Sequence, residues 1–244
     1  MAIQKFELEL LSSKMITKYT IQLTLKRADN VAFDFEPGQF ITFLFDHEDG
    51  KLRRRSYSVA SIKTETKEIE LAASYVKGGI ATDHLFNMKV GEKYNAMGPA
   101  GRLILKDEPL KRLILVGTGT GIAPYRAMLP SLENRITNEN IQVNILLGVQ
   151  YRADALYASD FEKYDKKLAN LSFISCLSRE ELELTSHERK GYVQDQFDGL
   201  NLNPDEDVIY LCGNPNMIDE TYERLLKLGF TNKNIRREKY ISSN

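Results

Sequence analysis

The hydrophobic pattern of this chain changes period once, and that change divides it in two. From Ile3 to about Met97 the dominant period is two, as on half-buried strands. Ile16, Ile21, Leu23 and Leu25 alternate with polar residues, and Phe40–Phe45 and Glu68–Val76 are short β-rich runs. Pro37-Gly38 and Asp49-Gly50 punctuate them as turns. One helical pattern intervenes, Ala81 to Met88, with Leu85 and Phe86 as its buried side. Many short antiparallel strands predict a closed barrel. Beyond about Lys106 strands alternate with helices. Strands are expected at Arg112–Val116, Val143–Val149, Leu171–Cys176 and Val208–Cys212, and helices at Pro124–Ile136, Ala155–Leu168 and Pro215–Leu228. That alternation predicts a parallel sheet covered on both faces. Gly101 and Pro109 mark the connection, so the chain divides into an antiparallel β-barrel over residues 1–106 and an α/β parallel-sheet domain over residues 107–244.

With 244 residues the chain has room for one large domain or two modest ones, and 42% apolar residues suffice for real cores. Its 33 basic and 34 acidic residues lack the excess charge of a non-specific nucleic-acid binder. No apolar run approaches a membrane span, and Met1–Leu11 lacks the uninterrupted apolar core of a signal peptide. Two cysteines, Cys176 and Cys212, are too few for a structural metal or a four-cysteine iron–sulfur site, and their scarcity fits a reducing cytosol. His47, His84 and His187 are scattered and read as surface residues. The expectation is a cytoplasmic monomer with no metal, nucleic-acid or membrane partner.

The strand Arg112–Val116 runs into Gly117-Thr118-Gly119-Thr120-Gly121-Ile122-Ala123-Pro124. Glycines let backbone approach a phosphate, Pro124 suits the first helical position, and a helix N-terminus attracts anions. The spacing differs from G-x-G-x-x-G: the third glycine comes one residue early. The next strand ends Gly148-Val149-Gln150-Tyr151-Arg152, without the acid that commonly meets a ribose. Arg152, with Arg179 beside Ser178 after the following strand, is placed to meet a 2′-phosphate, or is a solvated loop charge. Cys212-Gly213-Asn214-Pro215-Asn216-Met217 repeats the strand–turn–helix logic, and Cys212 is expected at the crevice shared with Gly117–Gly121.

A second signal lies at Arg55-Ser56-Tyr57-Ser58. Successive strand side chains alternate faces, so Arg55 and Tyr57 share one side and Ser56 and Ser58 the other. A guanidinium beside a stackable ring suits a flat, phosphate-bearing ligand, although an ordinary Arg/Tyr strand pair has the same pattern.

Taken in order, the barrel, Arg55-Ser56-Tyr57-Ser58, Gly78-Gly79-Ile80-Ala81-Thr82, Gly117–Pro124, Cys212–Pro215 and a terminal Glu238-Lys239-Tyr240 resemble the ferredoxin–NADP reductase superfamily over essentially the whole chain. The resemblance implies non-covalent FAD on the barrel and NADPH or NADH on the second domain. It implies that Arg55 and Ser56 serve the flavin phosphate segment, that Tyr57 stacks on the isoalloxazine, and that Ser58 approaches its N5. It places Tyr75, Val76, Gly79, Ile80, Ala81 and Thr82 along the flavin pyrophosphate, with Thr82 where serine is usual. Pro37–Phe40 and Gly98–Arg102 match turn motifs of the barrel. Gly117, Thr118, Gly119, Thr120, Gly121, Pro124, Arg152, Ser178, Arg179, Cys212, Gly213, Asn214 and Met217 are implied to hold the dinucleotide, with Thr120 also near the flavin. Cys212 and Glu238 would orient the nicotinamide, and Tyr240 would cover the second flavin face. A four-residue extension, Ile241–Asn244, follows Tyr240.

The implied reaction is electron transfer from NADPH through FAD to an acidic ferredoxin or flavodoxin. A basic rim of Lys51, Arg53, Arg54, Arg236, Arg237 and Lys239 would steer such a partner. Two alternatives stay open: an NADH-dependent reductase component of an oxygenase system, and a non-catalytic subunit carrying flavin or nucleotide.

Overall fold

Alternating apolar side chains set the pairing of the first eight strands. The structure, a computed structural model, describes residues 4–240 apart from residues 48 and 64. It divides into two units, residues 4–105 with Ala123–Met128, and Lys106–Ile122 with residues 129–240. The extension after Tyr240 lies outside the described residues.

In the first unit β1 (Gln4–Met15), β2 (Thr20–Arg27), β3 (Phe33–Asp34), β4 (Phe40–Asp46), β5 (Leu52–Ser58), β6 (Glu65–Thr66), β7 (Glu68–Ser74) and β8 (Lys93–Ala100) surround one helix, α1 (Ile80–Asn87). Six strands form an antiparallel sheet in the order β5-β4-β8-β1-β2-β7, and β3 pairs with β6. The sheet curls back on itself. Val59 bridges Leu71, and the Ala60 N–H donates to the Glu70 carbonyl at 2.8 Å, so the chain leaving β5 meets β7. Inward residues Leu8, Leu10, Leu23, Leu25, Ile41, Phe43, Phe45, Ile69 and Leu71 make the core, as the two-residue period predicts. Gly98-Pro99-Ala100, expected in a turn, instead finish β8, where its register with β4 shifts. A bulge there accommodates proline within a sheet.

The second unit holds β9 (Arg112–Thr118), α2 (Ala123–Glu139), β10 (Gln142–Val149), α3 (Ala158–Lys167), β11 (Leu171–Leu177), β12 (Glu188–Lys190), α4 (Phe197–Leu200), β13 (Asp207–Gly213), α5 (Pro215–Lys227) and β14 (Ile235–Lys239). The first turns of α2, Ala123–Met128, group with the first unit. The sheet order is β12-β11-β10-β9-β13-β14, with parallel pairing throughout. Strand order therefore reverses between β9 and β13, and the carboxyl ends of these two strands flank the switch point. Ile114, Val116, Ile209, Leu211, Ile218 and Leu225 are fully buried between sheet and helices.

Two sequence expectations change here. The helix expected from Ala155 starts at Ala158, because Arg152–Asp154 form a 3-10 turn and Tyr157 takes a left-handed φ of 61°. The terminal motif is itself a strand, β14, added to the sheet edge beside β13. Among the described residues no helix is long and apolar enough to cross a membrane.

Candidate functional site

On β5, Arg53, Arg55 and Tyr57 share the half-buried face, while Arg54 and Ser56 are exposed. Burial pushes the Tyr57 phenol up to about 12, which keeps it neutral. Its ring meets the Phe43 ring edge-on at 5.9 Å. Arg55 Nη1 donates to the Arg54 carbonyl at 2.8 Å, and Ser56 shares a hydrogen bond with Thr42 at 2.9 Å. Ser58 closes the strand, 4% exposed and paired in register with Phe40.

The loop after β7 leads into α1. Tyr75 is exposed and packs edge-on to Phe86 at 5.4 Å. Gly78 takes φ 73°, and Gly79 caps α1 with no side-chain acceptor for the first turn. The Thr82 hydroxyl is engaged with its own loop: it donates toward the Val76 and Gly79 carbonyls, at 3.0 and 2.9 Å. Thr82 thus holds the loop shape, and the first turn of α1 keeps N–H groups that no side chain caps, the kind of donors that suit an anion. A guanidinium, a half-buried ring and an uncapped helix start on one unit fit a group that carries phosphates and a flat ring.

In the second unit three strand tips come into register. Gly117 on β9 pairs with Cys212 on β13, and Cys212 pairs with Glu238 on β14. Beyond Glu238 the Tyr240 N–H donates to the Gly213 carbonyl at 2.8 Å. Thr118 Oγ1 accepts the Asn214 N–H at 2.9 Å, tying the two glycine turns together. The glycines do different jobs. A Cβ on Gly121 would press into the Cys212 carbonyl group, 2.6 Å from its carbon, and one on Gly213 would lie 2.5 Å from Thr118 Oγ1. Gly119, at φ 52°, faces open space. Gly121 and Gly213 are therefore required by backbone packing, whereas Gly119 leaves open space beside its backbone. A 3-10 turn over Gly119–Ile122 runs directly into α2, so the helical N–H groups start at the glycines, before Pro124.

Cys212, at the β13 tip, is fully buried. Burial and the neighbouring Glu238 charge push its thiol well above the usual range, with a contact to Tyr240 opposing them. A neutral thiol is a packing surface, not a nucleophile. Asn214 turns its side chain into a helix cap: Oδ1 accepts the Asn216 and Met217 N–H groups at 2.8 and 3.4 Å. The dipeptide Asn-Pro at a helix start carries that signal in sequence.

At the β10 tip the structure brings in two carboxylates that strand-by-strand reading misses, Glu180 and Glu188. Both are buried, and both engage Arg152. Arg179 is exposed, with its N–H bonded to the Gln150 carbonyl at 2.9 Å. The Arg152 guanidinium holds the Glu188 carboxyl down at about 2. This pair therefore stabilises the folded state fully above the ordinary carboxylate range and loses that contribution as pH falls toward 2. Urea midpoints measured between pH 5 and pH 3 should fall less for Glu188→Gln than for the parent chain; equal slopes would contradict the pairing.

Half of the basic rim is paired with acids. Arg53 pairs with Asp49 at 2.8 Å, Lys239 with Asp219 at 2.6 Å, and Arg236 with Glu108. Arg237 stacks on Tyr222 at 3.8 Å. The sequence shows these cations but not the acids that fold back onto them.

Comparison with known proteins places this geometry. Residues 7–104 match the model of an oxidoreductase FAD-binding domain and residues 115–223 that of an oxidoreductase NAD-binding domain. A ferredoxin–NADP reductase of Azotobacter vinelandii is 30% identical over 217 residues, 83% of this chain and 82% of that protein. The chain belongs to the ferredoxin–NADP reductase superfamily. It is a flavin oxidoreductase of that superfamily, with one FAD-binding and one NAD-binding domain. A toluate 1,2-dioxygenase electron transfer component of Pseudomonas putida is 27% identical over 232 residues; the match covers 94% of this chain and 66% of that protein. A crystal structure of a cytochrome P450 reductase from Amycolatopsis superposes with a TM-score of 0.86 at 26% identity, covering 99% of this chain and 71% of that one.

Proposed function

We propose that the chain takes reducing equivalents from a reduced nicotinamide dinucleotide onto FAD and delivers them to a one-electron carrier protein, a ferredoxin or flavodoxin. The observation that carries this is the register of Gly117, Cys212 and Glu238 on three adjacent strand tips, in a chain that also has an FAD-binding domain. FAD, when bound, accepts a hydride from the nicotinamide and gives up its electrons singly.

The chain's own residues supply position and charge. Arg55 and the uncapped start of α1 bind the flavin phosphates, and Tyr57 gives its ring a half-buried platform. Gly119 admits the dinucleotide pyrophosphate to the start of the helix. Cys212 offers a small neutral surface to the nicotinamide, and Glu238, held in register beside it, orients the carboxamide. Tyr240, anchored through its N–H to Gly213, is the removable cover over the flavin ring. Ser58 presents a hydroxyl to the flavin N5. Anaerobic addition of NADH or NADPH should bleach the yellow protein; a colourless protein that takes up no FAD would overturn the proposal.

Ser58→Ala should slow flavin reduction on the order of tenfold or more while changing nucleotide affinity far less, since a donor aimed at the reacting atom acts on the transition state. Stopped-flow traces identical to those of the parent would remove Ser58 from the role. Delivery to an oxygenase is a second reading, favoured by the similarity to the toluate dioxygenase component, and reduction of candidate carriers by the purified chain distinguishes the two.

A further inference from the structure

The strand that presents Ser58 is held in place by a residue from far along the chain. Beyond Ser58 the chain passes from β5 to β7, and its backbone is tied down there. The Val59 N–H donates to the Gln39 carbonyl at 2.9 Å and the Ala60 N–H to the Glu70 carbonyl at 2.8 Å. Ala60 is fully buried, and its carbonyl accepts Arg126 Nη1 at 2.7 Å. The same nitrogen pairs with the Glu70 carboxylate, whose other oxygen accepts Gln22 Nε2 at 2.9 Å. Ser61 Oγ accepts the Glu70 N–H at 2.7 Å, so Glu70 is fixed through backbone and side chain alike.

Arg126 stands on the first turns of α2, Ala123–Met128, which group with the barrel. Ala127 is fully buried among the barrel core residues. A Cβ on Gly38 would lie 2.7 Å from Met128 Cε. The Pro37-Gly38 turn thus approaches this helix closely, and glycine permits both the approach and the φ of 103°. Those apolar contacts already dock the helix, so packing alone does not call for a guanidinium. What Arg126 adds is a donor for a buried carbonyl, which is costly to leave unpaired. The Arg126 side chain is 12% exposed and that of Glu70 30%, so the clasp is sheltered from solvent. Planar peptide units pass the position of the Ala60 carbonyl back along the chain to Ser58, two residues before it.

We propose that Arg126 is a positioning residue for the flavin chemistry: by holding the Ala60 carbonyl it fixes the Ser58 hydroxyl where the flavin N5 would meet it. The inference rests on the role proposed above for Ser58. Its test uses the full FAD-loaded chain. Arg126→Met keeps the buried stem and removes the donors. Hydrogen exchange reads the clasp directly: the Val59 and Ala60 N–H groups should exchange about tenfold faster in this variant. In stopped-flow, flavin reduction should slow about tenfold while dinucleotide affinity changes far less. Arg126→Lys, which returns a charged donor, should recover most of the rate. In a Ser58→Ala background Arg126→Met should cost about twofold or less, because a residue that acts through a hydroxyl has nothing left to act on. Unchanged exchange, a rate equal to the parent's, or an undiminished loss in the Ser58→Ala background would each overturn the inference. Should Arg126→Met fail to retain FAD, Glu70→Gln loosens the same clasp. Its expected loss is about threefold, vanishing in the Ser58→Ala background; no loss, or one that persists there, would overturn the inference. A Ser58→Ala chain as fast as the parent would sink the Ser58 role and this inference together, whereas a slow Ser58→Ala beside a fast Arg126→Met would sink the inference alone.

Discussion

Gly121→Ala is expected to cost on the order of 3 kcal/mol of stability, the range of an overpacked interior. Gly119→Ala, two residues away, should leave a folded chain that binds dinucleotide poorly. The contrast follows from what each added methyl meets. At Gly121 it runs into backbone of the neighbouring strand tip, 2.6 Å from the Cys212 carbonyl carbon and 2.8 Å from the Gly213 Cα. Neither atom can rotate away, so β9 and β13 must part. At Gly119 it meets nothing within 4 Å, and the cost is the left-handed φ of 52°, roughly 1–2 kcal/mol for a residue with a Cβ. On the proposed function, however, the methyl would occupy the space a pyrophosphate needs. Urea denaturation and calorimetric titration with dinucleotide on both variants separate the two roles. A Gly121→Ala chain as stable as the parent, or a Gly119→Ala chain with undiminished affinity, would refute the division of labour.

Asp207→Ala should destabilise the second unit by about 3–5 kcal/mol, the cost of removing one partner of a buried ion pair. The Asp207 side chain is 1% exposed and that of Arg112 18%. Arg112 Nε and Nη2 donate to the two Asp207 oxygens at 2.8 and 2.6 Å, and Nη1 donates to the Leu200 carbonyl at 2.8 Å. Asp207 also accepts the Asn203 N–H at 2.7 Å. The pair fastens the starts of β9 and β13, which lie in register there. It thereby sets the spacing that Gly117 and Cys212 share at the other end of the same strands. Asp207→Asn keeps an acceptor for Asn203 but leaves Arg112 without its counter-charge, so it should fall between parent and alanine. Thermal unfolding is the measurement, with an expected drop of roughly 10 °C for alanine. A shift under about 2 °C would show that the pair is dispensable.

These positions differ in how far the residues announce themselves. Gly117, Gly119 and Gly121 stand out because glycine punctuates a strand–helix junction, and Arg55 and Tyr57 because strand periodicity puts them on one face. Asp207 and Glu188 do not stand out at all. Each is an ordinary acid in a charged segment, and its meaning comes from a partner many residues away. The same holds for Arg236 and Lys239, which read as a steering rim until Glu108 and Asp219 are found beside them.

Local order was thus decided by the amino-acid sequence alone. The two-residue period made the first unit antiparallel, the strand–helix alternation made the second parallel, and short-range turn chemistry placed the glycines at the strand–helix junctions. These are effects of neighbours within a few residues, so they survive reading along the chain. Tertiary structure decided which strand tips stand side by side. It set Cys212 between Gly117 and Glu238, buried its thiol, turned the terminal motif into β14, and closed Glu188 onto Arg152. Parallel sheets join strands that are far apart in sequence, and a charge takes its role from whatever that joining brings within hydrogen-bond reach.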